Sequence, residues 1–231
     1  MPLRALVVAL LVLVPVSAQA ARSYHLELEA NPAAAFPYLG RFGSVDLHVY
    51  ASGVRGDLLW LKGLSKNGAS AVTVANPLAR MYVDVPVGDI APILQKMAGT
   101  VDAMQRMTPP ARGPSVAGQV LGVAATRHRL IYGPEAWIDY WTTGVVPENA
   151  QFRRIAQQFV AGISPATAEM VKTIPGTPVY IELNFRRFKK VPLLKLEKLS
   201  WDVDPEDEKD ALELGPIYMR APLLDKVLSG N

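Results

Sequence analysis

Apolar and polar residues alternate from Tyr24 to Glu29, with Tyr24, Leu26 and Leu28 on one side of the chain and His25, Glu27 and Glu29 on the other. A period of two is that of a strand with one buried face. The alternation resumes with Val45, Leu47 and Val49 inward, and Ser52 to Gly56 supply a turn into the apolar run Leu58 to Leu61. Asn67-Gly68 predicts a tight hairpin, because both central positions of a type I′ turn need positive φ. Ala71 to Ala75 and Met81 to Val85 follow, separated by Asn76-Pro77, so four strands joined by short turns predict an antiparallel meander. At Asp89 the period changes to about 3.6. Ile90, Ile93, Leu94, Met97, Val101, Met104 and Met107 then predict one amphipathic helix, with Asp89 as N-cap and Pro92 in its first turn. The Pro and Gly cluster from Thr108 to Pro114 ends it and is expected to be a loop within one domain.

Val120 to Tyr132 and Glu135 to Thr143 read as a hairpin around Gly133-Pro134, the second strand carrying Trp137, Tyr140 and Trp141. A helix with Phe152, Ile155, Ala156 and Phe159 on one face precedes a short helix capped by Ser164, with Pro165 as its first residue. After Pro175-Gly176, Val179, Ile181, Leu183 and Phe185 alternate with Tyr180, Glu182, Asn184 and Arg186. The partner strand runs from Leu193 to Val203, and its apolar phase slips between Leu196 and Leu199. One extra residue near Glu197 or Lys198 produces that slip, so a β-bulge is expected that puts Leu196 and Trp201 on one face. Groups of strands and helices without βαβ alternation indicate an α+β domain on an antiparallel sheet.

The amino terminus has a different character. Arg4 precedes an apolar stretch from Ala5 to Val16, and Ser17, Ala18, Gln19, Ala20 follow as small-x-small residues. This is a signal-peptide layout, too short for a membrane span, with cleavage expected after Ala20; an uncleaved anchor is the alternative. Residues 21–231 are then expected to form a single exported, periplasmic domain without a transmembrane anchor. The chain has no cysteine, which removes thiolate catalysis, disulfide exchange and cysteine-ligated metals. A net charge of +3, part of it from Arg4, does not suggest nucleic acid.

Candidate chemistry is sparse. His25, His48 and His128 stand alone in sequence; neighbouring strands could bring His25, Glu27 and His48 together around a metal, and solvated side chains on a sheet face are the plainer reading. His128 lies between Arg127 and Arg129, whose charges disfavour an imidazolium, and reads as structural. Ser65 lacks the second glycine of a nucleophile elbow and reads as hairpin chemistry. The acidic run Asp202, Asp204, Glu206, Asp207, Glu208, Asp210 lacks the central glycine of a calcium loop, which leaves a solvated loop as the ordinary explanation. The basic run Arg186, Arg187, Lys189, Lys190 reads as a soluble turn, with anionic headgroups as the alternative contact. No motif calls for a cofactor or a catalytic residue, so the chain is read as non-enzymatic. The helix from Ile90 to Met107 is either plain core or a plug over an apolar cavity. In the second case Ile90, Ile93, Leu94, Met97, Val101, Met104, Trp137 and Trp141 are the expected lining.

The stretch Gly122 to Thr126, through His128 and Leu130 to Trp137 and Thr142, with the Phe185 and Trp201 strands behind it, resembles uncharacterised exported bacterial proteins related to the periplasmic lipoprotein-carrier superfamily of the LolA, LolB and RseB kind. That resemblance implies a half-barrel-like, curved antiparallel sheet with two to three helices on its concave face. It also implies an apolar or amphipathic ligand, a lipid or a lipoprotein acyl chain, and no catalytic residues. The alternative is a module for protein interaction or envelope stress, with an envelope protein as partner and a self-filled core.

Overall fold

The computed structural model describes residues 23–31, 43–98, 109–186, 190–201 and 208–221, and for Met97, Ala98, Ile163 and Lys209 the backbone alone. The strands are β1 (Tyr24–Ala30), β2 (Gly43–Val49), β3 (Gly53–Leu58), β4 (Leu61–Lys66), β5 (Ala71–Asn76), β6 (Met81–Pro86), β7 (Ala111–Val120), β8 (Val123–Ile131), β9 (Ala136–Thr143), β10 (Thr177–Phe185), β11 (Val191–Trp201) and β12 (Met219–Arg220). The helices are α1 (Ile90–Ala98), α2 (Ala150–Ile163), α3 (Pro165–Val171) and the single turn α4 (Glu208–Ala211). The twelve strands make one open sheet in the order β12-β6-β5-β4-β3-β2-β1-β11-β10-β9-β8-β7. Its ladders are antiparallel except for β12, which runs parallel to β6.

β1 lies inside the sheet, between β2 and β11. Its inward residues Tyr24, Leu26 and Leu28 stand opposite Val49, Leu47 and Val45 on one side and Trp201, Leu199 and Leu196 on the other. Leu26 and Leu196 are fully buried, worth about 1.5–3 kcal/mol each. The ladder skips Glu197, because Glu27 pairs with Lys198 and Leu28 with Leu196. The extra residue restores the phase, and Trp201 packs against the cluster that holds Leu196, as the apolar slip predicts. A second cluster joins Leu130, Ile138, Tyr140 and Ile181 of β8–β10 to Val160 of α2 and Met170 and Val171 of α3. Both helix starts are capped, the second at the expected Ser164: Phe152 N donates to Asn149 Oδ1 at 2.9 Å, and Thr167 N to Ser164 Oγ at 3.3 Å.

Four expectations need correction. Leu58 to Leu61 is not a strand but the hairpin joining β3 to β4, with Leu58 paired to Leu61 across Leu59-Trp60. The meander from β2 to β6 therefore has one strand more than the apolar runs suggested. Val120 to Tyr132 is also broken, by a turn at Leu121 and Gly122 with φ of 50° and 77°. The expected loop up to Pro114 gives way to β7 from Ala111, an exposed edge strand whose register shifts between Arg112 and Ser115, around Pro114. A proline is tolerated where no ladder bond is needed, and this is such a place. Asp89 ends a 3-10 turn, Val87–Asp89, that runs directly into α1, so it is not an N-cap. The expected helix is described as far as Ala98; Val101, Met104 and Met107 lie outside the described residues.

Candidate functional site

Leu64, Thr73 and Asp84 stand opposite one another on β4, β5 and β6, and Ala75 opposite Tyr82 one step along. Over them passes a strap, residues 208–221, anchored at both ends. At its start, Ser52 N donates to Glu208 Oε1 at 2.6 Å, and Leu212 is buried over Gly53. A Cβ at Gly53 would lie 2.9 Å from Leu212 Cδ1 and 2.5 Å from the Ser65 carbonyl oxygen, so this approach needs glycine. At its end, β12 pairs with β6, and Met219 N and Ala221 N donate to the carbonyls of Arg80 and Tyr82 at 2.9 and 2.8 Å.

Between strap and sheet is a cleft of about 610 Å³. Its floor holds Leu64, Thr73, Tyr82 and Asp84, and its roof Leu212, Leu214 and Tyr218. Thr73 Oγ1 donates to Asp84 Oδ1 at 2.6 Å, which fixes the one carboxylate of the floor. Lys66, on the rim, pairs with Glu213 at 2.8 Å. Ser65, also on the rim, donates to the Ala71 carbonyl and accepts from Gln151 Nε2 at 2.7 Å. A hydroxyl held in that way is a structural link between β4 and α2. Through the Ala71 carbonyl it also ties β4 to β5, the hairpin role expected of Ser65.

Of the expected cavity lining, the described residues Ile90, Ile93, Leu94, Trp137 and Trp141 do not gather in one place. Ile90 is buried at the start of α1, and Ile93 and Leu94 are half-buried on the same helix. Leu94 meets α2 at Gly162, where an added Cβ would lie 2.8 Å from Leu94 Cβ; the crossing is close-packed. Trp137 and Trp141 belong to the other face of β9, since Ile138 and Tyr140 between them are the residues that face α2 and α3. They carry Arg129 and Arg127, with the guanidinium carbons 5.1 and 5.9 Å from the ring centroids. Neither tryptophan, and none of Ile90, Ile93 and Leu94, lines the cleft. The side chain of Met97, with Val101 and Met104, lies outside the described residues.

Two further polar groupings are built into the sheet. Arg129 grips both carboxylate oxygens of buried Asp139, at 2.7 and 2.9 Å, and Tyr180 donates to Glu182, opposite Asp139, at 2.7 Å. Burial first, and then that carboxylate, raise the Tyr180 phenol. On β1 and β2, His25 stacks on His48 with centroids 4.4 Å apart, and His25 Nε2 lies 3.0 Å from Asp46 Oδ1. Glu27 stands opposite Asp46, and no group of three metal-ligating side chains occurs among the described residues. His48 is lowered by burial, then by His25 and Arg55. His128 is buried between Ser115 Oγ at 3.0 Å and Thr142 Oγ1 at 3.2 Å. Its imidazolium is disfavoured by burial and Arg112, not by the sequence neighbours Arg127 and Arg129, which alternate to the other face. Of the acidic run, Glu208 serves the strap anchor, and 202–207 lie outside the described residues. In the basic run, Arg186 lies near Glu135 at 3.9 Å and Lys190 near Glu182 at 3.8 Å, while Arg187 and Lys189 are outside the described residues.

Sequence reasoning missed the cleft. Its only signal was the spacing of Leu212, Leu214, Ile217 and Tyr218 after the acidic run, which says nothing about the strand they cover. No helix among the described residues is long and apolar enough to cross a membrane. No family model and no curated protein matches the chain. Among solved structures, an uncharacterised conserved protein from Thermus thermophilus is similar over 93% of this chain and 98% of that one, at 10% identity and a TM-score of 0.43.

Proposed function

We propose that the chain is an exported, non-enzymatic binding protein for an amphipathic ligand with an acyl chain, held in the cleft under the strap. The observation that carries this reading is the cleft itself, about 610 Å³ with an apolar roof and a floor bearing Asp84, Thr73 and Tyr82. Sites for small ligands have this size and this mixture of apolar wall and few polar groups. Leu212 and Leu214 would cover the chain, and the Thr73–Asp84 pair would orient a hydroxyl or amine at its head. The reading places the protein in the periplasm after removal of residues 1–20. It also takes the sheet as a half-barrel with α1–α3 on its concave face, as in lipoprotein carriers.

The test is organic extraction of the purified full chain followed by mass spectrometry, together with titration of a fluorescent fatty acid. Leu214→Asp is expected to reduce probe affinity at least tenfold without unfolding the sheet, because a carboxylate in the roof removes apolar contact with the chain and is costly to cover with it. No extracted lipid and no probe binding by the wild type would overturn the reading in favour of an interaction module.

A further inference from the structure

The β3–β4 and β5–β6 hairpins turn at the same end of the sheet, since Leu58 faces Leu61, Asn76 faces Met81, and β4 and β5 are antiparallel neighbours. Met219 stands beside Met81 at that end. The tips carry large apolar side chains in water: Leu59 is 69% exposed, Trp60 53%, Leu78 84% and Met219 67%, with Ile217 and Met81 also exposed. Single exposed apolar residues are ordinary, but a group gathered on neighbouring tips marks an interaction surface.

The backbone sharpens the point. Leu59 has φ of 53°, a left-handed conformation that glycine or asparagine adopts far more readily than leucine. Leu59 therefore carries both a conformational cost and an exposure cost, and neither is offset by packing within the fold. Such a residue at a turn points to function outside the fold. The second tip is held stiff, because Asn76 Oδ1 accepts from both Leu78 N at 2.9 Å and Ala79 N at 3.0 Å. Next to it Arg80, exposed and also left-handed at φ of 51°, provides a cation behind the apolar tip. Lys62 is one residue behind the first tip, opposite Asp57, which pairs with Arg55 at 2.7 Å.

We infer that these tips dock into the surface of a lipid bilayer, with Leu59, Trp60 and Leu78 in the acyl boundary and Arg80 at headgroup phosphate. A protein pocket would have to match two separate convex tips and β12 at once; a fluid interface accepts any such outline. Tryptophan beside aliphatic residues, with a cation just behind, is the composition of an interfacial anchor. This inference does not depend on what the cleft binds.

Sedimentation of the full chain with vesicles of phosphatidylethanolamine and phosphatidylglycerol tests it. Wild type is expected to co-sediment, and Trp60→Asp and Leu78→Asp to lose about tenfold or more of their partition. Trp60 fluorescence should be quenched by lipids brominated along the acyl chain. Leu59→Gly separates docking from folding: it should lower partition while raising the melting temperature by about 2 °C, since the strained backbone is relieved. Leu214→Asp, in the cleft, should partition as wild type. Wild-type protein left in the supernatant, undiminished binding by Trp60→Asp, or a concentration-dependent dimer that Trp60→Asp abolishes would each overturn the inference.

Discussion

The two halves of the sheet hold their polar groups in opposite ways. In β8–β10 a guanidinium and a buried carboxylate grip each other bidentately above Trp137. In β1–β3 the corresponding places hold His25 stacked on His48, with Asp46, Arg55 and Asp57 around them. One half is braced by an ion pair with one buried partner, the other by stacked rings of which His48 is disfavoured as a cation by burial. The first is the more sensitive to loss of a partner.

The largest effect should come from Arg129→Met, which leaves Asp139 beside Glu182 without its cation. A loss of about 3 kcal/mol is expected in urea unfolding. Arg55→Met in the other half should cost well below half as much, since Arg55 and Asp57 are both partly exposed. Equal losses would erase the contrast.

Gly53→Ala comes next, at about 2 kcal/mol, because the new Cβ meets a carbonyl oxygen and Leu212. Calorimetry reads the loss, and cleft binding should fall with it. Acidification follows. The folded state lowers the pKa of His48 and His128, so the unfolded chain binds their protons first, near pH 6.5, and stability falls as pH drops from there through the folded values. Each histidine removes up to about 1.4 kcal/mol per pH unit in that window. His48→Gln should flatten the slope by its share, measured as unfolding free energy between neutral and mildly acidic buffer. The smallest change is Lys66→Ala, which breaks an exposed pair with Glu213 and should stay within about 0.5 kcal/mol by the same measurement.

What the sequence made legible follows from what each element depends on. β1, β10 and the bulge at Glu197 were readable because a period of two and its interruption are local properties of a half-buried strand. The cap at Ser164 sits beside the helix it starts. Elsewhere, the hairpin at Leu59-Trp60 was hidden because leucine took a place where asparagine or glycine announces a turn, and at Leu121-Gly122 a single glycine stood inside a continuous apolar run. β7 was hidden because an edge strand exposed on both faces has no apolar rhythm. The cleft was beyond reach for a different reason. It exists only because β12 joins β6 from far along the chain, and neither strand names the other. The tryptophans of β9 were noticed as aromatics, but a side chain's face depends on register, and register put Trp137 and Trp141 under arginines rather than under α1.

The position of β1 also sets the order of events at birth. The first strand of the sheet needs β11 on its outer side, and until that strand exists a full row of its backbone amides and carbonyls has no protein partner. At ribosomal speed the wait is roughly ten to thirty seconds. Until β11 is made, any sheet formed by the amino-terminal meander has a raw flank at β1.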